Sequence, residues 1–327
     1  MLKIPERIRL ANLPTRIEKL GKLTNALEGP EIYIKRDDQT GTELSGNKVR
    51  KLEYSVKEAL DMDCNYLITC GGVQSNHCRA TAAAAVKLGM KCCLVLRGEA
   101  DSEAAGNLLI DRLLGAETRF ITAEEYSNER SEIMEDIKKE MEDKGFKAYI
   151  IPEGASNGIG SFGYYTAMEE IMEQEKELET QFDCIVLATG SGGTYSGLWL
   201  ANKLLNHPSD VYGICVGGDA EYFKARIPEI LFESMGYMDV SIPVSPEDIN
   251  IIDGYVGRGY ALSRPEELRF IHSLSKLEGI ILDPVYTGKA MYGLTEEIKK
   301  GKFKDYKNIL FIHTGGLFGL FPQGNLF

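Results

Sequence analysis

The chain has 327 residues, of which 43% are hydrophobic and 26% charged, a size and composition typical of a globular protein with two domains. Its 37 basic and 49 acidic residues give a net charge of −12, which argues against nucleic acid or an anionic membrane as a partner. Since no apolar run has the length of a signal peptide core or a membrane span, we expect a cytoplasmic protein.

Short apolar runs alternate with helical patterns along almost the whole chain. The predicted strands are 31–35, 66–70, 91–96, 117–121, 148–151, 184–188, 211–216 and 308–312. The predicted helices are 47–62, 75–88, 104–114, 123–144, 158–178, 193–205, 220–235, 265–277 and 287–300. Strands that are buried on both faces read as continuous apolar runs, so this alternation predicts an α/β protein with parallel sheets. Segment 236–259 has no clear period and is expected to be a loop-rich connection.

The stretch 45–51 places a lysine at the start of predicted helix 47–62. Its first three residues favour turns and caps, so Lys48 lies in the first helical turn. Backbone N–H groups there already carry partial positive charge, which disfavours an ammonium. Lys48 is therefore either a solvated side chain or an amine that loses its proton easily. For Arg50 and Lys51 we expect surface or structural charge.

The stretch 70–77 runs from a strand through two glycines into a helix. Gln74, Ser75 and Asn76 present amide and hydroxyl donors beside free backbone N–H groups, an arrangement that suits a carboxylate. The alternative is that Ser75 or Asn76 is only an N-cap. His77 is expected to be satisfied locally rather than to be catalytic.

The glycine-rich stretch 189–197 lies between a predicted strand and a predicted helix. Glycines allow backbone N–H groups to surround an anion, and the helix start adds its dipole. Leu198 stands where a Walker A loop has its lysine, and Tyr195 stands where the dinucleotide fingerprint needs its third glycine. The stretch therefore predicts a phosphate site that is not built for a nucleotide, with a tight structural turn as the alternative.

Cysteine and histidine usage gives no sign of a disulfide framework or a metal site. The seven cysteines include no Cys-x-x-Cys pair and lie mostly in or beside apolar stretches, so we expect buried, reduced thiols. The four histidines are far apart and show no ligand spacing. No metal is expected.

A lysine at a helix start, a phosphate loop without nucleotide features and a carboxylate site together indicate one cofactor. Pyridoxal phosphate needs an amine for its aldehyde, a cradle for its phosphate and a site for the carboxylate of an amino acid. The alternative from another class is a nicotinamide-dependent oxidoreductase or a non-catalytic ligand-binding module that uses the same loops.

Five stretches resemble, in the same order, the family of D-cysteine desulfhydrases and 1-aminocyclopropane-1-carboxylate deaminases: 45–53, 74–77, 190–194, 283–290 and 311–316. The resemblance implies the tryptophan-synthase-β-like fold of pyridoxal phosphate enzymes (fold type II), with two three-layer α/β domains, and a homodimer. It implies a large cofactor-binding domain of residues 1–50 plus 160–327 and a small domain of residues 51–159.

The resemblance also implies roles for individual residues. Lys48 would carry the cofactor and then act as the base at Cα, and the catalytic residues would be Lys48, Ser75, Tyr260 and Tyr286. The substrate carboxylate would bind to Gln74, Ser75 and Asn76. The cofactor would bind to Lys48, Asn76, Gly190, Ser191, Gly192, Gly193, Thr194, Tyr286, Thr287 and Thr314.

Position 287 distinguishes the two branches of this family. The deaminase branch has a glutamate there, which keeps the pyridine nitrogen protonated, whereas this chain has Thr287. A hydroxyl makes the ring a weaker electron sink, adequate for expelling a good leaving group from Cβ. The expected reaction is therefore α,β-elimination, with D-cysteine giving pyruvate, ammonia and sulfide. The alternatives are L-cysteine, cysteate, a diamino acid, or deamination of the cyclopropane. Segment 317–319 (Leu-Phe-Gly) stands where the desulfhydrases have a segment of small residues, so the size of the substrate stays open.

Overall fold

The computed structural model describes residues 2–327, which form two β-sheets with helices on both faces of each. The strands are β1 (Ile17–Lys19), β2 (Glu31–Lys35), β3 (Tyr66–Gly72), β4 (Lys91–Arg97), β5 (Glu117–Ile121), β6 (Ala148–Ile150), β7 (Cys184–Thr189), β8 (Asp210–Cys215), β9 (Asn250–Ile252) and β10 (Asn308–Ile312). The helices are α1 (Gly21–Leu27), α2 (Asn47–Asp61), α3 (Asn76–Lys87), α4 (Gly106–Leu113), α5 (Ala123–Asn128), α6 (Arg130–Asp143), α7 (Gly158–Leu178), α8 (Gly193–Leu204), α9 (Ala220–Met238), α10 (Pro265–Glu278), α11 (Thr287–Lys299) and α12 (Leu317–Leu320). The predicted α/β fold is confirmed.

The larger sheet has six strands in the order β1-β2-β10-β7-β8-β9, and the smaller sheet has four in the order β5-β4-β3-β6. All pairings are parallel except that of β1 with β2. Strand β10 lies between β2 and β7, so the larger sheet joins segments from distant parts of the chain.

Successive residues of each central strand enter two different cores. In β7, Ile185 and Leu187 pack on one face of the larger sheet, and Cys184 and Val186 pack on the other. Both faces are therefore buried, which explains why these strands appear in the sequence as unbroken apolar runs. All seven cysteines are buried, as predicted, and none is paired in a disulfide in this structure.

Helix α2 packs against both halves of the molecule. Its apolar residues, including Val49 and Leu52, belong to the core of the smaller sheet, while its other side lies against α7. Gly163 on α7 permits this contact, because a Cβ atom there would lie 2.4 Å from the carbonyl carbon of Arg50. The position of α2 is therefore fixed relative to both sheets.

Two sequence predictions on the elements are wrong. The predicted helix 123–144 is broken at Glu129, whose φ of −125° and ψ of −5° separate α5 from α6. The predicted loop 236–259 contains β9 and a 3₁₀ turn, Pro246–Asp248. A strand of three residues is too short to show a period of two, and β9 exists because it pairs with β8. In addition, β1, α1 and α12 were not predicted.

Residues 2–327 lack two features that would have pointed to other functions. None of their helices combines the length and the apolar character that crossing a membrane requires. They also contain no group of three histidine, cysteine, aspartate or glutamate side chains arranged to hold a metal ion.

Candidate functional site

A cleft lies at the carboxyl ends of the parallel strands, where ligands bind in open α/β sheets. About 750 Å³ of non-atom space lies between its walls, part of it open solvent. Its walls comprise Asn47, Lys48, Gly71, Gly72, Ser75, Asn76, His77, Glu153, Gly154, Ala188, Thr189, Gly190, Ser191, Gly192, Thr194, Tyr195, Tyr260, Tyr286, Thr314 and Gly315. The residues following β3, β6, β7 and β10 thus meet in one place.

The amine of Lys48 faces this cleft from the first turn of α2. The backbone N–H of Asn47 donates to the carbonyl of Thr314 at 3.0 Å, which ties this turn to the end of β10. The Nζ atom lies beside Gly154, where an added Cβ would be 3.3 Å from it. Burial lowers the pKa of Lys48 from 10.5 to about 8, against an opposing effect of Glu153. Part of the amine is therefore uncharged near neutral pH, as a nucleophile requires.

A second lysine, Lys51, lies fully buried one helical turn further on. Its Nζ donates to the carbonyl of Gly154 at 2.6 Å and to Ser156 Oγ at 2.8 Å. Burial, with a contribution from the charge of Lys48, lowers the pKa of Lys51 well below its ordinary value. Of the two roles predicted for Lys51, surface or structural charge, the surface role is therefore wrong. The spacing i, i+3 from Lys48 was the signal in the sequence, because it places both amines on one face of α2.

The glycine-rich loop after β7 lies against the amine of Lys51. A Cβ atom at Gly193 would lie 2.6 Å from Lys51 Nζ. Ser191 Oγ is 2.7 Å from Ser156 Oγ, and Asn47 Nδ2 donates to Thr194 Oγ1 at 3.0 Å. The first N–H groups of α8 have no partner within the helix, so a buried ammonium and a helix start face the same small volume. This combination suits a phosphate.

The loop after β3 brings two polar side chains into the cleft and turns a third away. Ser75 caps α3 by accepting from the N–H of Cys78 at 3.2 Å, and Asn76 Oδ1 accepts from Asn107 Nδ2 at 3.0 Å. The Gln74 amide instead donates to the carbonyl of Ala105 at 3.0 Å and accepts from the N–H of Asn107 at 2.9 Å. Ser75 and Asn76 therefore line the cleft, while the Gln74 side chain fixes the loop to the start of α4.

His77 lines the cleft with only one of its ring nitrogens paired. Thr69 Oγ1 donates to the carbonyl of Ile151 at 2.7 Å, so His77 Nε2 is the donor in its 2.8 Å contact with Thr69. The buried Nδ1 makes no hydrogen bond to residues 2–327. Burial and the two nearby lysines lower the pKa of His77 well below its ordinary value. The imidazole is neutral, and only one of its two ring nitrogens has a hydrogen-bond partner among residues 2–327.

Tyr260 and Tyr286 face each other across the cleft with their hydroxyl groups in a short hydrogen bond. Their rings meet edge to face with centroids 6.0 Å apart. Burial raises the pKa of both hydroxyls, so both are neutral at physiological pH. One of them can donate to a group in the cleft while the other donates to its neighbour.

Thr287 is fully buried at the start of α11, outside the cleft wall. Its hydroxyl donates to Asp283 Oδ1 at 2.7 Å and accepts from the N–H of Asp283 at 3.0 Å. The Asp283 carboxylate also accepts from the N–H groups of Val285, Tyr286 and Thr287. Neither side chain has a proton left to donate elsewhere.

The structure therefore brings most of the predicted site residues together. The cleft is lined by ten of them: Lys48, Ser75, Asn76, Gly190, Ser191, Gly192, Thr194, Tyr260, Tyr286 and Thr314. Three others lie outside its wall: Gln74, Gly193 and Thr287. Sequence reasoning did not find Asn47, Lys51, Glu153 or Ser156, which contact or surround the predicted groups.

A family model described as "Pyridoxal-phosphate dependent enzyme" matches residues 8–315. The bifunctional D-cysteine desulfhydrase/1-aminocyclopropane-1-carboxylate deaminase of Arabidopsis thaliana is 44% identical over 96% of this chain and 79% of its own length. The D-cysteine desulfhydrase of Yersinia pestis (strain Pestoides F) is 38% identical over 97% of this chain and 96% of its own length. The crystal structure of an ACC deaminase homologue superposes with a TM-score of 0.91 at 40% identity, covering 99% of this chain and 95% of that one.

The chain belongs to the pyridoxal-phosphate dependent enzyme family. Within it, the D-cysteine desulfhydrase and 1-aminocyclopropane-1-carboxylate deaminase group predicted from the five stretches is confirmed, as is the fold. The protein is a pyridoxal phosphate-dependent lyase.

The residues of the cleft fit this cofactor. Lys48 offers an amine whose pKa is lowered to about 8, and the loop 190–194 offers a cradle with buried Lys51 beside it. Together they provide one reactive amine and one anion site in the same cleft.

Proposed function

We propose that the protein catalyses α,β-elimination from a small amino acid with a leaving group on Cβ, with D-cysteine as the principal substrate. The reaction takes D-cysteine and water to pyruvate, ammonia and hydrogen sulfide. The observation that carries this proposal is that the Thr287 hydroxyl and the Asp283 carboxylate already use their hydrogen-bonding capacity on each other and on backbone N–H groups. With no acid available at position 287, expulsion of a thiol is easier to catalyse than opening of a carbon ring.

In this proposal each group in the cleft has a distinct task. Bound pyridoxal phosphate supplies the aldehyde that captures the substrate's amino group and a ring that withdraws electrons from Cα. Lys48 would hold the cofactor through its amine and would act as the base that removes the proton from Cα. Loop 190–194 and Lys51 hold the phosphate.

Other residues bind the substrate and protonate the leaving group. Ser75 and Asn76 receive the substrate carboxylate, and Gln74 contributes by fixing their loop to α4. Asn76 would also contact the cofactor's ring hydroxyl, and Thr314 lines the cleft together with Lys48. The Tyr260–Tyr286 pair supplies a proton to the departing sulfur, since a neutral thiol is a better leaving group than a thiolate.

A second candidate function is deamination of 1-aminocyclopropane-1-carboxylate to 2-oxobutyrate and ammonia. The name of the Arabidopsis relative includes both activities, and the superposed crystal structure is that of an ACC deaminase homologue. L-Cysteine, cysteate and a diamino acid are further substrates that the same chemistry allows.

We also propose the organisation of the molecule and its location. Residues 1–50 plus 160–327 form the large cofactor-binding domain and residues 51–159 the small one, in keeping with the strands of the smaller sheet all lying between 66 and 150. The protein is proposed to act as a homodimer in the cytoplasm. Its partner is the small amino-acid substrate.

The experiment compares product formation by the purified holoenzyme from D-cysteine, L-cysteine and 1-aminocyclopropane-1-carboxylate. We expect pyruvate and sulfide from D-cysteine to form faster than 2-oxobutyrate from the cyclopropane. Lys48→Ala is expected to lower the rate with D-cysteine by at least about 1,000-fold, because base and covalent anchor are lost together. Lys57→Ala, on the same helix and paired with Asp61, is the matched control. A Lys48→Ala enzyme that is as fast as the wild type, or faster 2-oxobutyrate than pyruvate formation, contradicts the proposal.

A further inference from the structure

Glu153 stands at the wall of the cleft on a turn whose shape is tightly constrained. It opens the 3₁₀ turn Glu153–Ala155 that follows β6, in which Gly154 has a φ of +66°. Lys51 holds this turn by donating to Gly154 O and Ser156 Oγ. The backbone that carries Glu153 is therefore fixed, next to the position of Lys48 Nζ.

Among the cleft-lining residues that the structure describes, Lys48 and Glu153 are the only Lys, Arg, Asp or Glu side chains. Lys48 is engaged by the cofactor in the proposed function. The Glu153 side chain is exposed and makes no ion pair or side-chain hydrogen bond with any residue from 2 to 327. One carboxylate without an ion-pair partner among residues 2–327 thus remains at the cleft wall.

The charge of Glu153 acts on the groups that would surround the β-substituent of a substrate. It raises the pKa of Lys48, and it also raises the pKa of Tyr260 and of Tyr286. All four side chains line the same cleft. A charged β-substituent held between Lys48 and the tyrosine pair therefore feels the carboxylate.

We propose that Glu153 selects substrates by the charge of their β-substituent, accepting neutral and cationic groups and rejecting sulfonates, carboxylates and phosphates. This inference rests on the proposed function, because it names the substrate class that the same cleft admits. It predicts that cysteine, β-chloroalanine and 2,3-diaminopropionate are accepted, whereas cysteate is a poor substrate.

Arg97 brings a charge of the opposite sign to Tyr260, which lines the cleft together with Glu153. Its guanidinium stacks on the rings of Tyr126 and Tyr260, at 5.2 and 5.4 Å from their centroids. Arg97 is not part of the cleft wall. Since Arg97 has the opposite sign and lies outside the cleft wall, Arg97→Gln should shift the charge preference in the opposite direction and by less.

The test measures kcat/KM of the holoenzyme for racemic β-chloroalanine, cysteate and 2,3-diaminopropionate, so that no assumption about handedness is needed. In Glu153→Gln, the cysteate to β-chloroalanine ratio should rise about tenfold and the 2,3-diaminopropionate to β-chloroalanine ratio should fall about tenfold, as expected for one charge acting across several ångströms at a partly exposed site. Glu135→Gln, the same change on exposed α6, should leave both ratios as in the wild type.

Ratios are used because Glu153 also influences the pKa of Lys48. A change acting only through Lys48 alters all three rates by one factor and leaves the ratios unchanged, and this result overturns the proposal. Ratios in Glu153→Gln within about twofold of the wild type overturn it as well. Glu153→Lys should reverse the preference, and a Glu153→Lys enzyme that still prefers the diamino acid counts equally against it.

A binding measurement separates this inference from the proposed function. Calorimetric titration of the holoenzyme with racemic alanine and racemic aspartate, which lack a good leaving group, needs no turnover. Glu153→Gln should lower the Kd of aspartate about tenfold and leave that of alanine unchanged, and equal effects on both contradict the role of Glu153. If the wild-type holoenzyme releases no pyruvate from any β-substituted substrate, the proposed function fails, while the two Kd values still decide the role of Glu153.

Discussion

Two buried cations, Arg50 and Lys51, are neighbours on α2 and have opposite surroundings. The Arg50 guanidinium contacts Asp37 at 2.8 Å and Glu170 at 2.9 Å, and Lys35 joins the same cluster through Glu170. Lys51, one residue further along, contacts only a carbonyl and a hydroxyl. Both side chains are fully buried.

The difference indicates where the chain balances a buried positive charge itself and where it needs a ligand to do so. A buried charge is costly unless an opposite charge accompanies it, and the Arg50 cluster provides its own. Around Lys51 the protein supplies neutral oxygens alone, next to the unpartnered N–H groups at the start of α8. The missing negative charge is therefore expected from outside the chain, in the form of the cofactor phosphate.

The largest effect is expected from breaking the compensated cluster. Arg50→Met should lower the free energy of unfolding by about 3–5 kcal/mol, because the buried Asp37 carboxylate loses its ion-pair partner and Glu170 keeps only Lys35. Urea denaturation of the cofactor-free protein measures this change. Arg119→Met, which removes an exposed arginine from Glu117 and Glu140, should cost no more than about 1 kcal/mol. Equal losses in the two variants would abolish the distinction between buried and exposed pairs here.

Lys51→Met should separate cofactor affinity from stability. Loss of a charged hydrogen-bond donor to the phosphate should raise the Kd of pyridoxal phosphate about 10- to 100-fold. The free energy of unfolding of the cofactor-free protein should stay the same or rise, because a buried amine whose charged form is disfavoured by desolvation has been removed. Equilibrium dialysis and urea titration measure the two quantities, with Lys57→Met as the control. A variant that loses stability but keeps its cofactor affinity would place Lys51 in the same class as Arg50.

A further prediction concerns Lys48 and pH. Burial lowers the pKa of Lys48 to about 8, and only the neutral amine reacts with an aldehyde. The rate at which the cofactor-free protein takes up pyridoxal phosphate should therefore fall about tenfold per pH unit below 8 and level off above it. Absorbance of the lysine-bound cofactor, followed from pH 6 to 10, measures this profile. A rate still rising at pH 10 would indicate an ordinary lysine.

The strands and glycine loops could be predicted because their causes are local. Strand β7 is apolar throughout since both of its faces are buried, and the loop behind it is rich in glycine since backbone groups must converge there. The helix start at Lys48 is visible in the neighbouring residues, whereas the role of Lys48 was predicted only from its combination with the glycine loop and the carboxylate stretch and from the family resemblance. The placement of the cleft at the strand ends follows from parallel topology.

Long-range partners account for what the sequence did not reveal. Glu170, which pairs with Arg50, lies 120 residues away, so nothing near Arg50 distinguishes it from a surface residue. Gln74 was expected at the substrate carboxylate, and its amide is instead held by Asn107, 33 residues further on. Its part in carboxylate binding remains a prediction. The break at Glu129 and the strand β9 likewise depend on neighbours that no local pattern names.

The position of β10 has a consequence for how the protein is made. The four strands of the smaller sheet are all synthesised by residue 150, so that sheet can form while translation continues. The larger sheet can form only after residues 308–312 have been synthesised, because β10 joins β2 to β7. Until then both strands expose an unpaired edge, which is a site for aggregation. We expect the nascent chain to depend on chaperones during this interval, and the cleft to become competent for its cofactor only after β10 is in place.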